Sequence, residues 1–390
     1  MSAIPGRRKR RTVAMFVTTL LVLLSVPALG WVGVRAVLDS TGGRDALADN
    51  LPVQTFPGTP TALYLTADAA GVLTSATVFV LAPAGVGGSI VSVPVNADIG
   101  FADDARQSLQ QVYADGGVDA TALAVESLVL VSFNVVEVVD EATVTEMLLP
   151  FAPLTITLTS DVRIGDGESE IPSADEVLRA GTVVLDAEMS ARVMFAGAGQ
   201  GDETGRKGNL EGLWAGFAAS VSGGRATTLP TNVAPVTMDE FVTRLVAARV
   251  QSRGLTTLPL TEEQNPGGGD VVQLDQSEAV FVFASVAPGS MSAPKLGPVF
   301  RVEAPPGYDL QVKLTIDKIL FVGANVISVD TSAPSRPDTL FFVPDEVNRD
   351  RAQITDEIFG TIVFAEPTVR IDGVDVTLVL GTDYLSSVET

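Results

Sequence analysis

The stretch from residue 90 to residue 140 constrains the architecture of this chain more than any other. Residues 90–93 (IVSV) form a short continuous apolar run, the signature of a buried strand. A polar loop follows, and then a helix that Asp103 or Asp104 opens and Gly116-Gly117 ends. A second helix over 120–131 and a strand over 134–139 complete the unit. In α/β proteins a polar loop after a buried strand is where chemistry collects, because strand ends and helix starts meet there. Further apolar runs at 61–66 and 76–82 predict two more buried strands, so the expected core is a mixed sheet covered by helices.

Composition removes several chemistries. The chain has no Cys and no His, which excludes disulfides, thiolate nucleophiles, Ser-His-Asp catalysis and the usual zinc sites. A metal here has to be hard and oxygen-bound, such as magnesium. A net charge of −22 excludes a nucleic-acid partner.

In chain order, residues 1–11 are a basic tail ending in RRKRR, and residues 12–34 are apolar without a charge. At 1.5 Å per residue that run spans about 34 Å, enough for a transmembrane helix with the amino terminus in the cytoplasm. A cleavable signal peptide is the alternative, with Ala28-Leu29-Gly30 as the small-residue site. Either way the remainder is exported, with 20 positive charges against 47 negative. Residues 35–60, rich in Gly and Pro, read as a stalk. Within the first domain (61–287) a helix is expected over 142–149, a strand over 154–162, a short helix from Ser173 with Glu176 three residues on, a strand over 182–185 and a helix over 186–195. The Gly-rich segment 196–208 reads as a loop before a helix over 209–221, and its glycine spacing fits no P-loop. A linker (288–298) leads to a second domain (299–385) of two β-α-β units, a small α/β sandwich with nothing catalytic in it.

Several segments resemble the LytR-CpsA-Psr family of envelope phosphotransferases. SVPVNAD (92–98) resembles that family's Ser-Ile-Pro-Arg-Asp loop, and LQQVYADGGVDATALAVESL (109–128) its Asn-Ala-Tyr-Gly-Gly helix and the helix after it. LDAEMSARVMF (185–195) resembles the Leu-Asp-Gly-Glu-Gln-Ala-Leu helix, and VDVTLVLGTDY (374–384) the last strand of the carboxyl-terminal domain often attached to the family in actinobacteria. In the first turn of that second domain, Pro305-Pro306-Gly307 stands where the family has Asn-Gly-x-Gly. The resemblance covers residues 61–286 and the second domain.

It implies transfer of a glycopolymer phosphate from a polyprenyl-pyrophosphate carrier to peptidoglycan, with magnesium, by a cluster of Arg, Lys and Asp side chains. Most of the family's charged positions fall on other residues here: Ala76 for the strand Asp, Val95 and Asn96 for the Arg-Asp loop, Ser108 for the helix Lys, and Phe195 and Gly197 for the Arg-x-Arg pair. Asp202 and Arg206 are the candidate remnants of the Asp-x-x-Arg element, and a further family position falls near Asn209 and Leu210. Asp98 is a candidate metal or ligand-binding carboxylate, with a loop cap as the alternative. Arg106, two residues before Ser108, faces the other side of the expected helix and partners Asp103 or Asp104.

Each lost preorganised charge costs about 3–4 kcal/mol of transition-state stabilisation. The expectation is therefore a membrane-anchored, extracytoplasmic, catalytically degenerate relative that binds polyprenyl-phosphate lipid, envelope glycan or cell-wall proteins, with no cofactor. A working phosphotransferase is the alternative; it needs magnesium and the convergence of Asp98, Asp202 and Arg206. An envelope structural protein whose pocket has filled with side chains is the third reading.

Overall fold

The computed structural model describes residues 29, 31–36, 51–102, 105–164, 177–198, 202–221, 234–292, 297–344, 346–359 and 363–388. The first domain is built on strands β1 (Thr61–Ala67), β2 (Leu73–Leu81) and β3 (Gly88–Val93), a hairpin of β4 (Asp98–Ala102) and β5 (Ala105–Ser108), then β6 (Val135–Val139), β7 (Leu154–Leu158), β8 (Gly181–Leu185) and β9 (Val250–Arg253). The main sheet has the order β9-β3-β2-β1-β6. The β1/β2 and β2/β3 pairs are antiparallel, while β3/β9 and β1/β6 are parallel. The expected mixed sheet is present.

Both sheet faces are apolar because alternate residues of the same strands feed two cores. Ala62, Tyr64, Phe79 and Ile90 face one side, and Leu63, Leu65, Val78 and Val91 the other. The second face is covered by α1 (Leu109–Val129) and by α6 (Gln276–Val286) near the end of the domain. Between them in sequence, α2 (Glu141–Leu148), α3 (Ala187–Phe195), α4 (Glu203–Val221) and α5 (Met238–Leu245) supply the first core. Asp140, Asp186, Thr237 and Asp275 cap α2, α3, α5 and α6, each accepting from the backbone N–H three residues on.

Two local expectations are corrected. The helix placed at Asp103 or Asp104 begins later, at Leu109, where Ser108 and Gln111 form a capping box. Residues 98–102 and 105–108 are instead the β4–β5 hairpin; Gly100 has φ +117, which no helix accommodates, and Asp103 and Asp104 lie outside the described residues. The break expected at Gly116-Gly117 is present, since Gly117 has φ +67 and ψ −155 and α1 kinks there.

The glycine-rich segment is also not a loop throughout, since α4 begins at Glu203. Its glycines serve contact. A Cβ at Gly208, Gly212 or Gly216 would stand 2.3, 2.1 or 2.5 Å from Thr159 Oγ1, the Thr157 carbonyl oxygen or the Thr155 carbonyl oxygen. A four-residue step along α4 thus matches a two-residue step back along β7 and beyond its end, and the helix lies directly on the strand backbone. Gly212→Ala is expected to cost about 1–3 kcal/mol, since a backbone oxygen cannot yield as a side chain does. Urea unfolding measures it, and an unchanged midpoint would show that helix and strand separate freely.

The second domain contains β10 (Val299–Glu303), α7 (Asp309–Phe321), β11 (Asn325–Asp330), β12 (Leu340–Phe342), α8 (Glu346–Ala352), β13 (Val363–Ala365) and β14 (Val376–Val379). Its sheet order is β11-β10-β14-β12-β13, with the two expected β-α-β units. It is not loosely attached. Val280 and Ala284 of α6 enter its core, and Lys313 Nζ lies 2.6 Å from Asp275 Oδ2 across the boundary. Burial disfavours the ionised Asp275, but hydrogen bonds from Lys313, Ser277 and the Glu278 amide outweigh it and hold its carboxyl below the usual range.

The stalk and the linker are corrected in part. Val53–Gln54 pairs in parallel with Arg370–Ile371, and Phe56 packs on Ile371 and Val374, so the stalk's second half belongs to the second domain. Its Pro and Gly content excludes helix without excluding partners. Gly289 and Ser290 of the linker bond to Thr59. Residues 37–50 and the helix expected from Ser173 lie outside the described residues, as does most of the apolar run 12–34. Among the described residues no helix is long and apolar enough to cross a membrane.

Candidate functional site

The loop after β3 opens at the sheet end where β2 begins, and it meets the starts of α1 and α4. Val95 is buried, and its carbonyl accepts from Gln110 N while that of Ala97 accepts from Leu109 N, so the loop backbone completes the start of α1. Asn96, only 2% exposed, points toward α4. Its Nδ2 donates to Thr204 Oγ1 (2.9 Å) and Asp270 Oδ1 (3.0 Å).

Asp270 comes from the loop before the strand Val272–Leu274. Its Oδ2 accepts from the N–H groups of Glu203 (2.5 Å) and Thr204 (3.1 Å), the first amides of α4. Its Oδ1 accepts from the Thr204 hydroxyl at 2.7 Å as well as from Asn96. A carboxylate on a helix start is favourable for the reason an anion is.

Arg206 lies one turn into α4. It is 9% exposed and folds inward to donate to the carbonyl oxygens of Ala196 (2.7 Å), Met194 (2.9 Å) and Thr74 (3.1 Å), and it pairs with Glu203. Gln110 donates to Leu73 O and lies 3.5 Å from Glu203 Oε1. Beneath, the Thr66 hydroxyl bonds to those of Thr74 and Ser75 inside the sheet.

The candidates from the sequence separate accordingly. Asp202 is a helix cap whose Oδ1 accepts from Gly205 N. Asp98 is paired with Arg106 at 2.6 Å, and its other oxygen accepts from Gly100 N. Arg106 is thus corrected: on a strand it faces Asp98, donates to Gln264 O and lies 4.2 Å from the Phe101 ring centroid. Convergence of Asp98, Asp202 and Arg206 on one ligand is not what their contacts describe, because each is bonded within its own element or to a different neighbour. Ala76 pairs with Val93 in the apolar core, Ser108 is a cap, and half-buried Phe195 packs on the first core. Gly197 has φ +70 and lies against Arg206. Asn209 ties α4 to residues 159 and 160, and Leu210 is core.

The sequence reading missed Glu203, Thr204, Gln110 and Asp270. Glu203 stands three residues before Arg206, a helical ion-pair spacing hidden by treating the segment as loop. Asp270 carries no local signal.

Four carboxylates (Asp98, Asp202, Glu203, Asp270) and two guanidinium groups (Arg106, Arg206) surround the loop. The balance is negative, which opposes a pyrophosphate. The carboxylates also do not suit magnesium, since each already accepts from protein donors, and among the described residues no three acidic side chains converge as a metal set. A separate shallow cavity lined by Val80, Ser89, Arg249, Gln251 and Ser285 lies at the other end of β2 and β3, away from this cluster.

Fold and site together define a two-domain α/β protein with a polar cluster at the end of a mixed sheet, closed by its own ion pairs. No family model matches the chain, and no curated protein matches it. Solved structures similar to it include TagT of B. subtilis, at 17% identity over 58% of this chain and 88% of that one, with a TM-score of 0.40. TagV of B. subtilis is similar at 14% identity over 57% of this chain and 94% of that one, with a TM-score of 0.39. A third is the LytR-CPS2A-psr family protein YwtF (TagT) with bound octaprenyl pyrophosphate lipid, at 15% identity, 58% and 88% coverage and a TM-score of 0.37.

Proposed function

We propose that this chain is a catalytically degenerate LytR-CpsA-Psr-like protein of the bacterial envelope that assists attachment of glycopolymers to peptidoglycan by binding, without transferring phosphate itself. The family reading rests on the segments 92–98, 109–128, 185–195 and 374–384 and on the order of elements that carries them. Residues 12–34 anchor it in the membrane, and both domains lie outside the cytoplasm. Its partners are polyprenyl-phosphate lipid, envelope glycan or wall proteins.

One observation carries the loss of catalysis. Arg206, the surviving cation of the family's pocket, is sunk into the protein and engaged by Glu203 and three carbonyl oxygens. Phosphoryl transfer needs cations poised on the leaving oxygens, and a guanidinium that already holds four protein acceptors cannot turn to them without breaking those bonds. With Asn96 in place of a loop carboxylate and a net negative surround, transition-state charge finds no counterpart.

The test is a transfer assay with the full chain in detergent micelles, a polyprenyl-pyrophosphate-linked glycopolymer as donor, peptidoglycan as acceptor and magnesium present. The expected outcome is no linked product above a protein-free control. Product that accumulates with turnover overturns the proposal.

A further inference from the structure

We infer that the end of the second domain at which β10, β11 and β14 begin rests on the membrane surface and inserts Phe321 among the lipids. The inference deepens the proposed reading that residues 12–34 anchor the chain, and it rests on that reading.

The chain meets the second domain before it enters the first. Val53–Gln54 pairs in parallel with Arg370–Ile371, with Arg370 N donating to Pro52 O and Asp372 N to Gln54 O, both at 2.9 Å. Phe56 then packs on Ile371 and Val374. Residues 37–50, between the proposed anchor and this clamp, reach at most about 50 Å even when fully extended. The path from the anchor therefore ends on the second domain, at a point fixed by backbone hydrogen bonds.

Register places exposed apolar side chains at that same end. β10 and β11 start side by side at Val299 and Asn325, and β14 joins them with Val376 beside Phe300. The turn after α7 lies there too, since Asn325 N donates to Pro298 O and a Cβ at Gly297 would stand 2.1 Å from Gly323 O. Phe321, the last residue of α7, is 90% exposed. Val53 and Val369, in and beside the clamp, are 64% and 40% exposed. A phenylalanine has about 150–250 Å² to bury, and among the described residues nothing covers this one. A bilayer interface takes up such groups when a tether holds them close to it.

Charge decides the kind of surface. Exposed Arg370 has exposed Glu366 and Asp372 near it in the chain, and the chain as a whole carries −22. Attraction to anionic headgroups is absent, so the contact is apolar and takes a neutral phospholipid.

The chain has no Cys, so a single-cysteine variant carries a nitroxide at one chosen place. Full-length Thr368→Cys and Ser335→Cys are reconstituted into phosphatidylcholine vesicles and floated. Power-saturation spin resonance then reads access to oxygen, which concentrates in lipid, and to a nickel chelate, which stays in water. Thr368, exposed next to Val369, samples the proposed contact; Ser335, exposed beyond the other end of β11, samples the opposite end. The expected result is higher oxygen access and lower nickel access at Thr368 than at Ser335. Adding Phe321→Ser, an exposed substitution that leaves the fold intact, is expected to lose that difference. Equal access at the two sites in floated protein overturns the inference and leaves the anchor standing. Loss of both oxygen and nickel access at Thr368 also overturns it, because a protein partner or a second copy excludes both. A difference that persists in Phe321→Ser overturns the insertion of Phe321. Failure of the chain to float sinks the anchor reading, and this inference with it.

Discussion

Arg206→Ala is expected to lower the free energy of unfolding by about 3–5 kcal/mol, the cost of breaking a buried ion pair from one side. The arginine side chain is 10% exposed and that of Glu203 5%. Removing the guanidinium leaves the Glu203 carboxylate without its charge partner and takes the donors from three carbonyl oxygens at once. Because this arginine binds the end of α3, the start of β2 and its own helix together, the loss is cooperative. An arginine held ready for a phosphate behaves otherwise, since its removal disables chemistry and leaves the fold nearly as stable. Urea unfolding followed by circular dichroism distinguishes the two. A change within about 0.5 kcal/mol, the range of an ordinary surface substitution, would mean that Arg206 is free to serve a ligand. Glu203→Gln combined with Arg206→Ala is expected to recover part of the loss, because the uncompensated charge is then gone while the carbonyl oxygens still lack donors.

Trp214→Ala is expected to cost a similar amount, about 3–5 kcal/mol, by a different mechanism. Trp214 is fully buried in α4, with ring centroids 5.5 Å from Phe79, 5.7 Å from Phe217 and 6.4 Å from Tyr64, all in edge-on geometry. Its Nε1 donates to Thr77 Oγ1 at 3.1 Å. Alanine leaves a cavity beneath the sheet, removes three aromatic contacts and strands a buried threonine hydroxyl. Burial also pushes the Tyr64 hydroxyl far up, with the charges of Glu137 and Asp140 adding to it, so this neighbour stays neutral throughout. Thermal unfolding measures the loss. A cost below about 1 kcal/mol would indicate a core that collapses into the gap and would weaken the account of how α4 is held on the sheet.

Both predictions concern α4, where sequence and structure part most clearly. The strands were legible because runs such as Ala62–Leu65 and Val78–Leu81 are apolar at every position, which only a sheet covered on both faces can bury. The helix start at Asp186 was legible because a cap is a local hydrogen bond. The same rule misled at Asp103 and Asp104, where two acidic residues outweighed the Ser108 and Gln111 pair that closes the actual cap. Gly205 and Gly208 suggested a loop because glycine lowers helix propensity, yet close approach to β7 and the residues just beyond it repays that cost through packing. That the charged positions of the resembled family fall on other residues here was visible position by position. What replaced them was not, since the bond between Asn96 and Asp270 joins residues 174 apart and no periodicity reports such a contact. Arg206 was visible as a residue and misplaced as a group, because its inward turn depends on Glu203 and on carbonyl oxygens that only the assembled fold supplies.

The central claim is that the chain's own side chains have closed this site to magnesium-assisted phosphoryl transfer. Calorimetric titration of the wild-type full chain with polyprenyl pyrophosphate, with and without magnesium, tests it most directly. The account predicts the same isotherm under both conditions, because the carboxylates around the loop are already engaged and hold no metal. Tight binding that appears only with magnesium would contradict it, and would mean that the ion pairs of Asp98 and Arg206 open to rebuild a working centre.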